Sequence, residues 1–200
     1  MFLQMVQAGA MSLFILVLVA TITTVYSCRH QDTGYNDDGK GNMVYFDRHV
    51  LRCGNRGMRW FKLDRGSQTI RFEYECCNLP TKVRSREFQT TFTYEKGGNL
   101  VYLDRQRVSC GTKGILSGFN MQRNPRRDHI RFNVICNDYN RLNCQRTQYT
   151  HFNDDGKGKS FYLDRHRVQC NNGYFLNNFR LKRNGRHNKI RMEFKCCRPT

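Results

Sequence analysis

The residues best equipped for chemistry recur as three phrases: Asp47–Arg48–His49, Asp104–Arg105–Gln106 and Asp164–Arg165–His166. An aspartate near a histidine is the kind of pair that supports general base catalysis. Two features weigh against that use here. Gln106 stands where the middle imidazole should be, and no serine sits in the tight glycine turn that a nucleophile elbow requires. The phrase reads better as a structural Asp–Arg pair, or as the cap of a turn beside a disulfide. No catalytic residue is assigned, and an enzyme is the last reading of the chain.

A second stretch, NDDGKG, begins at Asn36 and again at Asn153. Asp37, Asp38, Asp154 and Asp155 offer oxygens to calcium. Their spacing is not that of the twelve-residue calcium loop, and no glutamate closes it. Asp-Gly and Lys-Gly are ordinary turn chemistry between strands. A turn is therefore expected, with calcium a minor reading and no cofactor called for.

The third feature is charge. The chain carries 34 Lys plus Arg against 16 Asp plus Glu, a net +18. Arg123, Arg126, Arg127 and His129 fall in one expected turn. Arg180, Lys182, Arg183, Arg186, His187, Lys189 and Arg191 fall in its counterpart, and Arg48, Arg52, Arg56 and Arg59 cluster earlier. Such an array holds polyanions through many salt-sensitive contacts.

The elements that must position these residues follow from self-similarity. NMVYFDRHVLRC (Asn42 to Cys53), NLVYLDRQRVSC (Asn99 to Cys110) and KSFYLDRHRVQC (Lys159 to Cys170) are one phrase written three times. Each leads to a second phrase: IRFEYECC from Ile70, IRFNVIC from Ile130 and IRMEFKCC from Ile190. Repeats are thus expected over residues 28–78, 86–137 and 144–200, joined by linkers near Leu79–Glu87 and Asn137–Arg146. In the second phrases apolar and polar residues alternate, the mark of a half-buried strand. GMRWFKL, GILSGFNM and GYFLNNFRL are expected to add a further strand each. A strand is also expected to end or bulge near Val44 to Phe46. The predicted class is mostly β, three disulfide-stapled repeats of short antiparallel strands.

All 10 cysteines belong to the repeats. The middle repeat lacks both the leading cysteine and the second of the closing doublet. Positions that vanish together are most simply partners. This predicts Cys53–Cys76, Cys110–Cys136, Cys170–Cys196, Cys28–Cys77 and Cys144–Cys197, each worth about 3 kcal/mol in the chain-entropy model. Four cysteines allow three pairings, so the alternatives within each outer repeat stay open. Zinc is disfavoured, because paired C-x-x-C knuckles are missing.

Residues 1–27 carry no charged side chain and contain the apolar run Met11 to Ala20. That run suits a secretory signal peptide cleaved before Cys28, and it is too short to span a bilayer. The competing reading is an uncleaved anchor from Met11 to Val25. Export fits the disulfides. It also turns the basic charge toward acidic polysaccharides or acidic matrix proteins and away from nucleic acid. Stable membrane insertion is not expected, self-association remains open, and no N-x-[ST] acceptor is present.

FEYECC (Phe72 to Cys77) resembles the aromatic-x-aromatic-x-Cys-Cys signature of dermatopontins, and MEFKCC before Arg198 is similar to it. The Cys110–Cys136 and Cys170–Cys196 loops and the turns at Arg123-Asn124 and Arg183-Asn184 also look like that family. Its Asp-Arg-x-Trp element departs here to Asp128-His129-Ile130-Arg131-Phe132, and the single tryptophan, Trp60, lies elsewhere. The resemblance implies a non-enzymatic matrix protein that associates with collagen, proteoglycans or cells. It extends to invertebrate relatives in calcified shells, to insoluble molluscan shell-matrix proteins and to sugar-binding agglutinins. Two functions are therefore carried forward: a cationic structural protein of an extracellular, shell-type matrix, and a carbohydrate-binding defence protein. A cationic membrane-active toxin ranks below both, since no amphipathic helix is expected.

Overall fold

The computed structural model describes residues 27–80 and 84–200, so the expected signal segment lies outside the described residues except for Ser27. The first repeat supplies β1 (Cys28–Asp32), β2 (Asn36–Asp37), a 3₁₀ helix Met43–Arg48, β3 (Val50–Arg52), β4 (Gly57–Arg65) and β5 (Thr69–Cys77). The second supplies β6 (Arg84–Gln89), β7 (Thr93–Tyr94), a 3₁₀ helix Leu100–Arg105, β8 (Val108–Ser109), β9 (Gly114–Arg123) and β10 (His129–Asp138). The third supplies β11 (Leu142–Cys144), β12 (Gln148–Tyr149), β13 (Asn153–Asp154), 3₁₀ helices Gly156–Gly158 and Ser160–Arg165, β14 (Val168–Gln169), β15 (Phe175–Arg183) and β16 (Lys189–Pro199). The chain is mostly β, as its alternating phrases require.

Each repeat builds a sheet around one long antiparallel hairpin, and each sheet is completed by a strand from another repeat. The orders are β1-β5-β4-β14, β3-β9-β10-β6 and β11-β16-β15-β8. Thus β3 of the first repeat pairs with β9 of the second, β8 of the second with β15 of the third, and β14 of the third with β4 of the first. The exchange runs one way round and closes on itself.

A bulge in each hairpin makes the exchange fit. Register shifts fall at Arg59, Ser117 and Asn177, leaving those backbone groups free of the hairpin ladder. Their carbonyls instead accept the amide of the cysteine that follows each donated strand: Cys170 N to Arg59 O at 3.0 Å, Cys53 N to Ser117 O at 2.7 Å and Cys110 N to Asn177 O at 2.9 Å. The side chains lock the same junctions. Asn177 donates to the carbonyls of Gly111 and Gly114, and Ser117 to that of Gly54.

The five bridges are Cys28–Cys77, Cys53–Cys76, Cys110–Cys136, Cys144–Cys197 and Cys170–Cys196, the pairs that the missing cysteines point to. They do two jobs. Cys28–Cys77 and Cys144–Cys197 join facing residues of neighbouring strands in one sheet. The other three tie a residue docked on one sheet to the hairpin of another. In the middle repeat the missing bridge is replaced at register pair Ser85–Asn137. There the Asn137 amide reaches the carbonyls of Gly54 and Arg56 in the first repeat, and Arg86 grips Asp138 through two hydrogen bonds of 2.9 and 3.1 Å.

Two expectations are corrected. The stretch Val44 to Phe46 is not a strand end but lies inside a 3₁₀ helix. Asn42 caps it by accepting from Val44 N, and three residues per turn bury Met43 and Phe46 together. The supposed linkers contain structure as well: β6 begins at Arg84 and pairs with β10, and β11 pairs with β16. Both are edge strands; β6 is mostly charged and exposed and β11 has only three residues, so neither stands out as a strand in the sequence.

The core lies where the three sheets face one another. Phe61, Phe119 and Phe179 occupy equivalent strand positions, and their ring centroids stand 5.1, 4.7 and 4.9 Å apart. Met43, Leu51, Leu100, Val108, Leu163 and Val168 pack around them, all buried. Because this aromatic triangle is shared by all three repeats, Phe119→Ala should cost about 3–5 kcal/mol. Denaturant unfolding of the oxidised protein should show one cooperative transition moved to lower denaturant. Separate transitions for separate repeats would contradict a shared core.

Candidate functional site

The Asp-Arg phrases close the 3₁₀ helices, and their side chains split between two faces. Residues three apart eclipse in such a helix, so each arginine lies over the tyrosine before it. The guanidinium-to-centroid distances are 4.1 Å for Arg48 on Tyr45, 4.3 Å for Arg105 on Tyr102 and 4.3 Å for Arg165 on Tyr162. This cation–π stacking holds three arginines on the outer surface. The next residue turns inward: His49, Gln106 and His166 are buried. Asp47 is exposed while His49 is buried, and the imidazole meets Thr33, not the aspartate.

The inward residues share one network. Thr33 Oγ1 accepts from Phe72 N at 3.0 Å and lies 2.6 Å from His49 Nδ1. Thr150 Oγ1 accepts from Met192 N and lies 2.7 Å from His166 Nδ1. In the middle repeat Thr90 Oγ1 accepts from Phe132 N and donates to Gln106 Oε1 at 2.6 Å. The glutamine takes the place of the imidazole in the set, meeting its threonine as each histidine does. Gln106 Nε2 donates to the carbonyls of Thr91 and Ile130. The buried Nε2 atoms of His49 and His166 have no partner among the described residues. These side chains are scaffold.

The polar site is a cleft of about 800 Å³ between the first and second repeats, lined by Val44, Tyr45, Asp47, Arg48, Arg123, Asn124, Pro125 and Arg127. One wall is the first 3₁₀ helix and the other is the β9–β10 turn. Asn124 builds that turn by accepting from the amides of Asp128 and His129, both at 3.0 Å. Arg127 takes the left-handed conformation at φ +58°. Arg123 braces the turn by donating to Arg127 O at 2.8 Å, and it lies 3.8 Å from the buried Glu95 carboxylate. His129 sits 2.8 Å from Asp128, and that hydrogen bond, with a second from Asn124, holds the Asp128 carboxyl below its usual range. Arg48 and Arg127 are thus exposed at one opening lined also by Asp47, while Arg123, in its wall, is held by Glu95 and Arg127 O.

The matching junctions are bridged. Between the second and third repeats Arg183 pairs with Asp104 at 2.6 Å. Between the third and first, Arg65 lies over Phe161 at 3.9 Å. The remaining basic residues also divide. Arg180 is engaged by Glu193 at 2.7 and 3.2 Å. Arg180, Lys182 and Arg183 lie on β15, and Lys189 and Arg191 on β16, so the tight turn itself keeps only Arg186 and His187. Arg126, Arg186 and Lys189 are exposed and make no ion pair among the described residues. Sequence comparison grouped all of these by position; which are neutralised depends on carboxylates far away in the chain.

The acids of the NDDGKG stretches are turn-builders. Asp37 and Asp38 accept from the amides of Gly39 and Lys40, and Asp154 and Asp155 from those of Gly156 and Lys157. Among the described residues, the one group that brings three metal-ligating atoms together is Cys28, Glu75 and Cys77, whose sulfurs form a disulfide. No helix among the described residues is long and apolar enough to cross a membrane. No known protein family matches the chain, and no curated protein aligns with it.

The histidines give the scaffold a pH dependence. Burial pushes His49 and His166 down to about 4, and the neighbouring Arg48 and Arg165 charges add to the shift. An unfolded chain protonates its histidines near 6.5. As pH falls below that value the unfolded state takes up protons that the folded state refuses, so stability declines until the folded imidazoles titrate near 4. The denaturation midpoint should fall between pH 7 and pH 4.5. His49→Gln with His166→Gln, imitating Gln106, should flatten that part of the profile. An unchanged profile would show that these imidazoles do not control it.

Proposed function

We propose that the chain is a secreted, cationic structural protein of an extracellular matrix, suited to a calcified, shell-type layer, and that it binds acidic polymers. The observation that carries this reading is the open cleft at which Arg48 and Arg127 are exposed, flanked by the exposed Arg126. The exposed guanidiniums of Arg48, Arg126 and Arg127 present donors from a stapled frame to carboxylate or sulfate groups. With a net +18 the surface also draws an acidic chain from a distance. The closed ring with five disulfides supports service outside the cell. The dermatopontin-like closing phrases agree with the same role.

A second reading rests on its own observation. On the outer face of each sheet the arginine of the second phrase lies against an aromatic ring: Arg71 on Tyr35 at 4.5 Å, Arg131 on Phe92 at 4.4 Å, and Arg191 on Tyr149 and Phe152 at 3.9 and 4.3 Å. Tyr35, Tyr149 and Phe152 are exposed. Three aromatic platforms on one rigid body suit a multivalent sugar-binding agglutinin.

Salt separates the two. Binding to a heparin-type polymer should weaken steeply as salt rises. Arg126→Ala with Arg127→Ala should reduce affinity about 3–10-fold and lower the salt slope, as for other contacts between a cation and a charged polymer. Asp104→Asn should act in the opposite sense by releasing Arg183. Binding to neutral glycans that survives high salt and is lost in Tyr149→Ala would favour the agglutinin instead.

A further inference from the structure

We infer that a tetrahedral oxyanion, the sulfate or phosphate group of an ester, seats in a lysine-lined cup at the pole of the ring where the three glycine turns meet. This site is separate from the cleft and goes beyond the polymer-binding reading. The cup measures about 330 Å³ and is lined by Lys40, Lys96, Lys157 and Lys159 together with glycine backbone and the amides of Asn42 and Asn99. It draws lysines from all three repeats. All four are exposed, and none makes an ion pair among the described residues. The neighbouring aspartates are turned into their own turns, where they accept backbone amides, and no carboxylate lines the cup.

The turns are held around this axis by contacts that pass from one repeat to another. Met43 N donates to Gly98 O and Ser160 N to Gly41 O, both at 2.8 Å. Asn42 donates to Gly97 O at 3.2 Å. Gly98 and Gly158 take φ of +82° and +81°, and a side chain on either would strike the Asn42 or Asn99 amide. The cup is thus a built feature of the closed ring, and its lysines have little freedom to move apart at the backbone.

Lys159 gives the strongest reason to assign it a ligand. It occupies the position at which Asn42 and Asn99 cap the first two 3₁₀ helices, accepting from Val44 N and Val101 N. Lysine has no acceptor, so the helix Ser160–Arg165 has no side-chain cap. Instead Lys159 Nζ donates to Lys40 O across the axis at 2.9 Å, bringing its positive charge to a cup that three other lysines line, Lys96 with its Nζ 5.7 Å from the Tyr102 ring centroid. The next residue departs as well. Ser160 fills the buried place of Met43 and Leu100, and its hydroxyl has no partner among the described residues. A lost cap and a buried lone hydroxyl both act against stability at one spot, in a cup lined by cations without a carboxylate. Local rules broken together in this way mark a functional place. A compact anion with several acceptor oxygens is the chemistry that such a cup would hold.

The test uses the intact, oxidised, ¹⁵N-labelled protein titrated with inorganic sulfate and, separately, inorganic phosphate at constant ionic strength. The amides of Gly39 to Asn42, Lys96 to Asn99 and Lys157 to Lys159 should shift together and saturate at one anion per chain. The anion that saturates at lower concentration identifies the ester. Lys159→Asn restores the cap, so it should raise Tm while weakening the anion about tenfold. Lys40→Ala with Lys157→Ala, both exposed, should weaken it without lowering Tm. Retained heparin binding in Lys159→Asn would separate the cup from the cleft. The proposal is overturned by shifts spread over all basic residues without saturation, by unchanged affinity in Lys159→Asn, or by a lower Tm in that variant.

Discussion

The structure depends on one hydrogen-bonding arrangement, in which a short strand leaves its own repeat and the cysteine amide after it docks on a bulged carbonyl of another. Donated strands of two or three residues contribute little by themselves. Their effect comes from what they cover. Each long hairpin would otherwise present an open edge of unpaired amides and carbonyls, a template for association with other chains. Covering that edge brings the hairpins close enough for Phe61, Phe119 and Phe179 to meet, and no single repeat contains that core. The disulfides then hold the docked cysteine to its own hairpin, so covalent and non-covalent links alternate around the ring.

The ring also explains how basic residues come to act together. Charges scattered along a chain are mostly solvated and contribute little. Here the one-way exchange places the 3₁₀ helix of one repeat against the hairpin turn of another, so that Arg48 faces Arg123 and Arg127 across a gap. The same geometry at the second junction lets Asp104 neutralise Arg183. The first hairpin has a shorter turn, and its junction is filled by Arg65 over Phe161. One architecture thus yields three junctions of unlike charge, and at the first of them Arg48 and Arg127 stay exposed around a large opening.

Much of the local structure was legible in the residues. Alternation in IRFEYEC and IRMEFKC showed the strands, and the paired loss of two cysteines in the middle repeat showed the bridging pattern. The 3₁₀ helices were not legible, because VYFDR and its counterparts are too short for a three-residue period to stand out from an apolar strand. Strand exchange was hidden for a different reason. Val50–Arg52 carries the same pattern whether it pairs within its own repeat or with the next, and alternation does not name a partner. The cleft was half visible: the basic turn stood out, while the contribution of Arg48 needed the exchange. The pole was invisible, since Lys40, Lys96, Lys157 and Lys159 lie in three separate turns, each unremarkable alone. The Asn-to-Lys change at residue 159 was present in the repeat comparison, but its meaning required knowing that residues 42 and 99 are helix caps.

Closure of the ring sets an order of events. The edge of β4 is covered by Val168–Gln169, and its bulged Arg59 carbonyl receives Cys170. During synthesis the first hairpin, complete at Cys77, therefore waits with an open edge while about ninety further residues emerge before Val168. Its own cysteines can pair early, but the sheet they staple stays unfinished. Folding at the start of this chain is held for material made much later, and through that interval the first hairpin keeps an unpaired edge open to association.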